Sequence, residues 1–255
     1  TGLLEECSGA AANGGDLVRA DDQLTPCIER PLARQGETYG WWDGGRTPYP
    51  GRTFLYSNCD TMVLGKVLSD GQTGGFFEWA DENLFAKIGM EAFWWKDNSQ
   101  AEAGNILSYC CIDAIPRDFA RLGQLFLNGG AYAGEQVASQ AYFEAIASAS
   151  LVPGAFYKSQ FWFLDTPSGR KFISALGFDG QMVAVDMERD IIVVRMGLYE
   201  PILNGSSERV MRLRLDDPSS TNWVGSLPQG QAAQYFASYN SSAVLDLVSQ
   251  AVLTE

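Results

Sequence analysis

The chain changes its hydrophobic period partway along. From residue 53 to about 150, apolar residues recur three and four apart, the spacing of one helix face. After Pro153 they come in short alternating or continuous runs, the spacing of strands. The spacing predicts helices over 61–68 and 75–85, the second stopping near Gly89, where a glycine suits a helix C-terminus. It predicts a strongly amphipathic helix over 116–127, with Pro116 in its first turn and Asn128-Gly129-Gly130 at its end. Residues 140–149 give another helix.

Strand signals follow. Phe161-Trp162-Phe163-Leu164 and Lys171-Phe172-Ile173-Ser174 flank the turn Thr166-Pro167-Ser168-Gly169-Arg170 and read as a hairpin. Residues 181–186 and 190–197 flank a second turn, Met187-Glu188-Arg189. Within the later segment, Ile191-Ile192-Val193-Val194 is a continuous apolar run, which predicts a central strand covered on both faces. The tail over 241–253 predicts a closing helix capped by Ser241 or Ser242.

Helices first, then antiparallel strands, then a helix make an α+β architecture, an antiparallel sheet flanked by helices. The expected organisation is a single domain over 1–255: a loop-rich segment 1–52, a mainly helical part 53–150, and the sheet with its closing helix over 151–255. The first segment is punctuated by Asn13-Gly14-Gly15-Asp16 and Trp41-Trp42-Asp43-Gly44-Gly45 and lacks periodicity. Loops of that length are usually functional or flexible.

Composition narrows the function classes. With 46% hydrophobic and 19% charged residues, the chain can bury a sizeable core. A net charge of −13 argues against nucleic acid and against anionic lipid as partners. No apolar stretch approaches the roughly 18–20 residues that span a bilayer. The start, Thr1-Gly2-Leu3-Leu4-Glu5, is neither an initiator Met nor a signal peptide. The expectation is a processing or proteolysis boundary with further residues upstream.

The chain has no His at all. Ser-His-Asp and Cys-His hydrolases need an imidazole to take and return a proton, and zinc hydrolases lean on His ligands. Any hydrolysis here therefore needs Lys, Tyr, a carboxylate or a terminal amine as its base. No metal and no cofactor are expected. The five cysteines, Cys7, Cys27, Cys59, Cys110 and Cys111, contain no C-x-x-C pair, and an odd number leaves at least one thiol free. Cys7 with Cys27 would close a short disulfide loop; buried free thiols are the alternative.

Two places carry groups that chemistry uses. Tyr56-Ser57-Asn58 joins an extended segment to a helix start. A phenol titrates at about 10, but a neighbouring ammonium favours the phenolate. Tyr56 can then take a serine proton and return it to a leaving group, while Asn58 hydrogen-bonds a substrate carbonyl or a catalytic Lys. A tyrosine at a strand end also serves plain packing. Gly177-Phe178-Asp179-Gly180-Gln181 stands just before a strand, where glycines admit a ligand close to the backbone and an N–H can face an oxyanion. An ordinary glycine bulge is the other reading. Trp41, Trp42 and Trp162, with Phe161, either line a substrate pocket or pack as half-buried aromatics.

Taken in order along residues 48–200, the motifs gain specificity. They are Gly51-Arg52-Thr53-Phe54-Leu55-Tyr56-Ser57-Asn58-Cys59-Asp60 with Leu64-Gly65, Gly89-Met90 with Trp94-Trp95, and Cys110-Cys111. Then come Arg117-Asp118-Phe119-Ala120-Arg121-Leu122-Gly123, Gly129-Gly130 with Gly134, and Gly177-x-x-Gly180-Gln181. This series resembles the serine β-lactamase-like, penicillin-recognising superfamily, most of all its 6-aminohexanoate-dimer hydrolase and family VIII esterase branch. The resemblance implies a β-lactamase/transpeptidase-like fold whose N-terminal part is missing from this chain. It implies a serine nucleophile in Ser-x-x-Lys, Tyr56 as general acid/base and Asn58 as its polar companion. It also implies an oxyanion hole with one donor from the strand around Gly177, Phe178 and Asp179, in particular the Phe178 N–H. The absence of a Lys-Thr-Gly sequence suits an esterase or amidase better than a lactamase.

The nucleophile is the departure. In the family Ser-x-x-Lys stands well upstream of the Tyr motif, and the 55 residues before Tyr56 contain none. The literal match Ser168-Gly169-Arg170-Lys171 falls in the expected hairpin turn, where Ser and Lys do not share a helical face. Leu3-Leu4 with Ser8-Gly9 resembles a segment that follows the nucleophile helix. Three readings stay open: a serine hydrolase of an ester or linear amide whose upstream segment or companion chain carries Ser-x-x-Lys; a non-catalytic binding domain of the same fold; or an N-terminal-threonine hydrolase using Thr1 and its own amine. Five Cys and upstream processing lean towards a secreted or periplasmic setting.

Overall fold

The computed structural model describes residues 21–29, 57–97, 104–148, 156–177, 180–196, 213–214 and 240–251. Two helices open it, Thr25–Glu29 (α1) and Asn58–Gly71 (α2). The short α1 lies inside the segment that sequence periodicity reads as loop. Ser57 caps α2: its backbone is extended, and its hydroxyl accepts from the Asp60 N–H at 3.1 Å.

The helix expected over 75–85 is interrupted. Phe76–Ala80 (α3) runs into a π turn, Asp81–Phe85, and then Ala86–Ile88 (α4), ending at Gly89 with φ 67°. At α-helical spacing Phe76 and Phe85 would face opposite ways. The wider turn lets both meet Trp94, with ring centroids 4.7 and 5.5 Å apart. Trp94 belongs to β1, Phe93–Lys96, which pairs with β2, Ile112–Asp113.

Pro116–Leu127 (α5) forms with the bounds its periodicity predicts. Buried Asp118 accepts the Glu91 N–H at 3.1 Å and pairs with Arg121, whose guanidinium also donates to the Gly89 carbonyl at 2.6 Å. Those contacts lock the end of α4 to the start of α5. After the short hairpin of β3, Ala131–Tyr132, and β4, Glu135–Gln136, comes α6, Gln140–Ala147. The two-residue strands β2 to β4 are too short to show a period in sequence.

The main sheet is an antiparallel meander: β5, Tyr157–Lys158; β6, Phe161–Asp165; β7, Lys171–Leu176; β8, Met182–Asp186; and β9, Ile191–Arg195, neighbours in that order. A further strand, β10, Leu213–Arg214, pairs with β1 instead. The sheet is sandwiched. On one face α5 comes so close that a Cβ on Gly123 would lie 2.7 Å from Ile192 Cγ2. On the other, Phe172, Met182 and Ala184 bury Leu245 of the closing helix α7, Ser241–Ala251. The apolar run 191–194 is thus covered on both faces as expected, but it is not central: β9 ends the described sheet. The α7 cap is also a correction. Asn240, not Ser241 or Ser242, offers its side-chain oxygen to the Ala243 N–H at 3.0 Å. Asn reaches a free N–H as well as Ser does.

A polar network under β1 holds α1 in place. The Asp97 carboxylate, 2% exposed, accepts from the backbone of Gln23 (2.9 Å) and from the backbone and side chain of Asn105 (2.8 Å each). The Gln23 side chain accepts from the Tyr109 hydroxyl at 2.8 Å. Asp22 caps α1 through the N–H groups of Leu24 and Thr25 and the Thr25 hydroxyl. That hydroxyl foremost, with burial opposing and the two N–H donors adding, holds the Asp22 carboxyl below its ordinary 3.8.

Held this way, α1 presents Cys27 to Cys59 at a Cα separation of 4.9 Å, and the two form a disulfide. The expected Cys7–Cys27 pair is therefore corrected: the partner of Cys27 lies on α2, because the Asp97 network turns α1 towards that helix. Cys110 and Cys111 are bonded to each other. The Cys27–Cys59 link joins residues 32 apart in sequence. Loop entropy for such a span predicts that Cys27→Ser in the full-length protein lowers unfolding stability by about 3–4 kcal/mol, read from the urea midpoint under non-reducing conditions. An unchanged midpoint would show that the link does not form in solution.

Candidate functional site

The first turn of α2 follows directly on the Tyr56-Ser57-Asn58 triplet. Ser57 is spent on capping, and Asn58 opens the helix in a half-buried position. Cys59, fully buried, is fixed by the disulfide to Cys27. The Thr61 carbonyl accepts from Ser108 Oγ at 2.9 Å, and its hydroxyl donates to Gln160 Oε1 at 3.2 Å. One turn of helix is thus tied to three separate parts of the chain. Gly65 makes one of these ties possible, since a Cβ there would sit 2.2 Å from Ser108 Oγ. This accounts for the Leu64-Gly65 element of the sequence pattern.

The second place is the end of β7. Gly177 follows Leu176, and its N–H donates to the Gln181 carbonyl at 2.9 Å, closing the turn into β8. A side chain at Gly177 would meet the Gln181 Cβ at 2.9 Å, so the turn is tight enough to need a glycine. Arg195 donates to the Gly180 carbonyl at 2.6 Å and pins the other side of this turn from β9.

Strand direction decides how these two places relate. β6 runs away from the two-residue turn Ser159–Gln160, and β7 runs back, in the register Trp162↔Ser174. The β5–β6 turn and the β7 end at Gly177 therefore lie at one end of the sheet. Gln160 in that turn receives the Thr61 hydroxyl from α2. The start of α2, with Asn58, and the Gly177 turn are in this way brought to the same sheet end, although they are far apart in sequence.

Trp162 stands on β6 in an aromatic group. It stacks on Phe156 at a centroid distance of 5.9 Å and meets Tyr157 edge-on at 4.9 Å. Phe161 points to the opposite face, half-buried, and packs on Phe126 of α5 at 4.7 Å. Tyr56, Phe178, Asp179, Trp41 and Trp42 lie outside the described residues.

Ser168 sits in the β6–β7 turn, as its sequence suggests. Its hydroxyl bonds the Asp246 carboxylate on α7, and its N–H reaches the same oxygen at 3.1 Å. The Ser168 hydroxyl first, then that of Thr166, holds the Asp246 carboxyl below its ordinary value. Ser168 thereby clasps the closing helix, while Lys171 opens β7 on an exposed position. Among the described residues no group of three or more His, Cys, Asp or Glu is arranged to hold a metal ion, and no helix is long and apolar enough to cross a membrane.

Sequence reasoning missed Thr61, Ser108 and Gln160. Nothing in their local pattern marks them, because each matters through a contact with a distant segment. The Cys27–Cys59 pair was legible only as a pool of cysteines.

Comparison with known proteins bears on the family and the fold. Residues 31–197 match the family described as Beta-lactamase. The 6-aminohexanoate-dimer hydrolase of Paenarthrobacter ureafaciens is 27% identical over 186 residues, which cover 68% of this chain and 42% of that protein. A solved structure named "Putative 6-aminohexanoate-dimer hydrolase from Bacillus anthracis" is 29% identical, with a TM-score of 0.51, over 60% of this chain and 40% of its own. The chain therefore spans about two fifths of the length of these relatives. The family match takes in α2, the β5–β9 meander and the turn at Gly177, so this α+β chain belongs to the beta-lactamase family.

Proposed function

We propose that this chain forms the acid/base and oxyanion-strand part of a serine hydrolase that cleaves a carboxylic ester or a linear amide through an acyl-enzyme. Its nucleophile, in a Ser-x-x-Lys helix, is carried by an upstream segment or a companion chain. The observation that carries this reading is the meeting of the α2 start and the Gly177 turn at one sheet end, through Thr61 and Gln160. The relatives named as 6-aminohexanoate-dimer hydrolases support amide or ester cleavage as the reaction class.

In this reading the serine Oγ attacks the substrate carbonyl carbon, and its proton passes to the Tyr56 phenolate. A lysine ammonium close by keeps the phenol ionised, so that Tyr56 fills the general-base role that histidine has in other serine hydrolases. This chain has no His to fill it. The carbonyl oxygen becomes an oxyanion facing backbone N–H groups, one of them in the Gly177-Phe178-Asp179 turn. Collapse breaks the C–O or C–N bond, and Tyr56 returns its proton to the departing oxygen or nitrogen. Water then repeats the sequence on the acyl-enzyme, releasing a carboxylic acid and restoring the serine. Asn58, one turn before Thr61, orients the catalytic lysine or the substrate carbonyl. Trp41, Trp42 and Trp162 contribute to the acyl pocket. The Cys27–Cys59 disulfide favours an oxidising, secreted or periplasmic, setting.

Removing a general acid/base costs about a hundredfold or more. Tyr56→Phe in the full-length protein is therefore expected to lower kcat on p-nitrophenyl butyrate at least about a hundredfold with the fold intact by circular dichroism. Turnover near that of the unmodified protein would overturn the assignment of Tyr56, whereas no turnover by the unmodified protein itself would favour a binding domain without catalysis.

A further inference from the structure

The β5–β6 hairpin has an uncommon pair of residues in its turn. Ser159 and Gln160 both adopt the left-handed region, with φ 53° and 71°. A two-residue loop of this kind normally carries Asn-Gly or a similar pair, since other side chains clash with their own backbone there. Each such residue costs about 1 kcal/mol or more. Glycine at Gln160 would relieve that cost, so a glutamine at this place calls for a use of its side chain.

The side chain has two ends with different surroundings. Its carbonyl oxygen accepts from Thr61 on α2 (3.2 Å) and from the Tyr157 hydroxyl (2.9 Å). With the oxygen held by two hydroxyls, the amide nitrogen is turned away from both, and it has no partner among the described residues. Gln160 is exposed, and beside it runs the ladder of Tyr157, Trp162 and Phe156, the last 52% exposed. A fixed amide donor next to the exposed Phe156 ring and the half-buried Tyr157 and Trp162, at the sheet end that carries Gly177 and the α2 start, offers a ligand a hydrogen bond beside an apolar contact.

We infer that Gln160 is a specificity-determining residue of the proposed hydrolase: its side-chain N–H groups donate to a second carbonyl oxygen of a linear amide or ester substrate, away from the bond that is cut, while the Phe156–Trp162 ladder covers the intervening chain. This rests on the hydrolase reading above. The hydroxyls of Thr61 and Tyr157 act through Gln160, setting the direction of its amide; they are positioning residues.

Two variants of the full-length protein separate binding from tethering. Gln160→Glu keeps oxygen acceptors for Thr61 and Tyr157, removes the donor and puts a negative charge in its place. Gln160→Gly removes the side chain but relaxes the turn. The probe is the p-nitrophenyl ester of an N-acetyl-ω-amino acid, which carries a second carbonyl. For Gln160→Glu, KM is expected to rise at least about fivefold, the scale of one lost hydrogen bond, with kcat within about twofold and Tm within about 2 °C of the unmodified protein. For Gln160→Gly, KM is expected to rise as much, with Tm equal or higher. An unchanged KM in Gln160→Glu overturns the subsite, as does a Gln160→Gly variant that loses stability while keeping its KM, because Gln160 would then be a tether alone. If the unmodified protein turns over no ester or amide, the hydrolase reading falls and this inference falls with it; an active protein with an unmoved KM removes only the subsite.

Discussion

The bond between Cys27 and Cys59 fixes where the α2 half of the candidate site stands. It holds the first turn of α2 from below, one residue after Asn58, while Ser108 and Gln160 hold the same turn through Thr61. A helix start is ordinarily the part that frays. Here three ties to three different segments keep it still, which a side chain entering or following that turn needs if it is to move a proton over a fixed distance. The disulfide in turn depends on the buried Asp97 carboxylate, since the hydrogen bonds to Gln23 and Asn105 set the position of α1.

The meander supplies the other half. Five strands joined by short turns leave little freedom in register, so the turn at Ser159–Gln160 and the end of β7 must share one sheet end. Helices α5 and α7 close the two faces, α5 at the distance that Gly123 allows and α7 through Leu245 and the clasp of Asp246 on Ser168. The helices thus cover the two faces of the sheet, and the turns of the candidate site stand at its end.

Much of the scaffold was legible from sequence because its signals are local. The 116–127 periodicity, the Thr166–Arg170 turn and the alternating strands each state their own structure. The π turn at Asp81–Phe85 was not legible, since the reason for it, Trp94, comes later in the chain. The same holds for the Cys27–Cys59 pairing and for Asn240 as the α7 cap, where several equally good donors or acceptors compete and packing chooses. Of the candidate site, Asn58 and Gly177 were singled out by motif, while Gln160 and Thr61 gave no sign in one dimension: their meeting is a contact between residues 99 apart. The family resemblance read from ordered motifs agrees with the match over residues 31–197.

We propose that this chain completes a serine hydrolase whose nucleophile lies in a Ser-x-x-Lys helix outside its 255 residues. The most direct measurement is to react the natural full-length protein with a fluorophosphonate and map the adduct by peptide mass spectrometry. The account predicts a single modified serine, followed three residues later by lysine, upstream of Thr1 or on a companion chain. An adduct on Ser168 or Thr1, or no adduct on a protein that still hydrolyses esters, would contradict it.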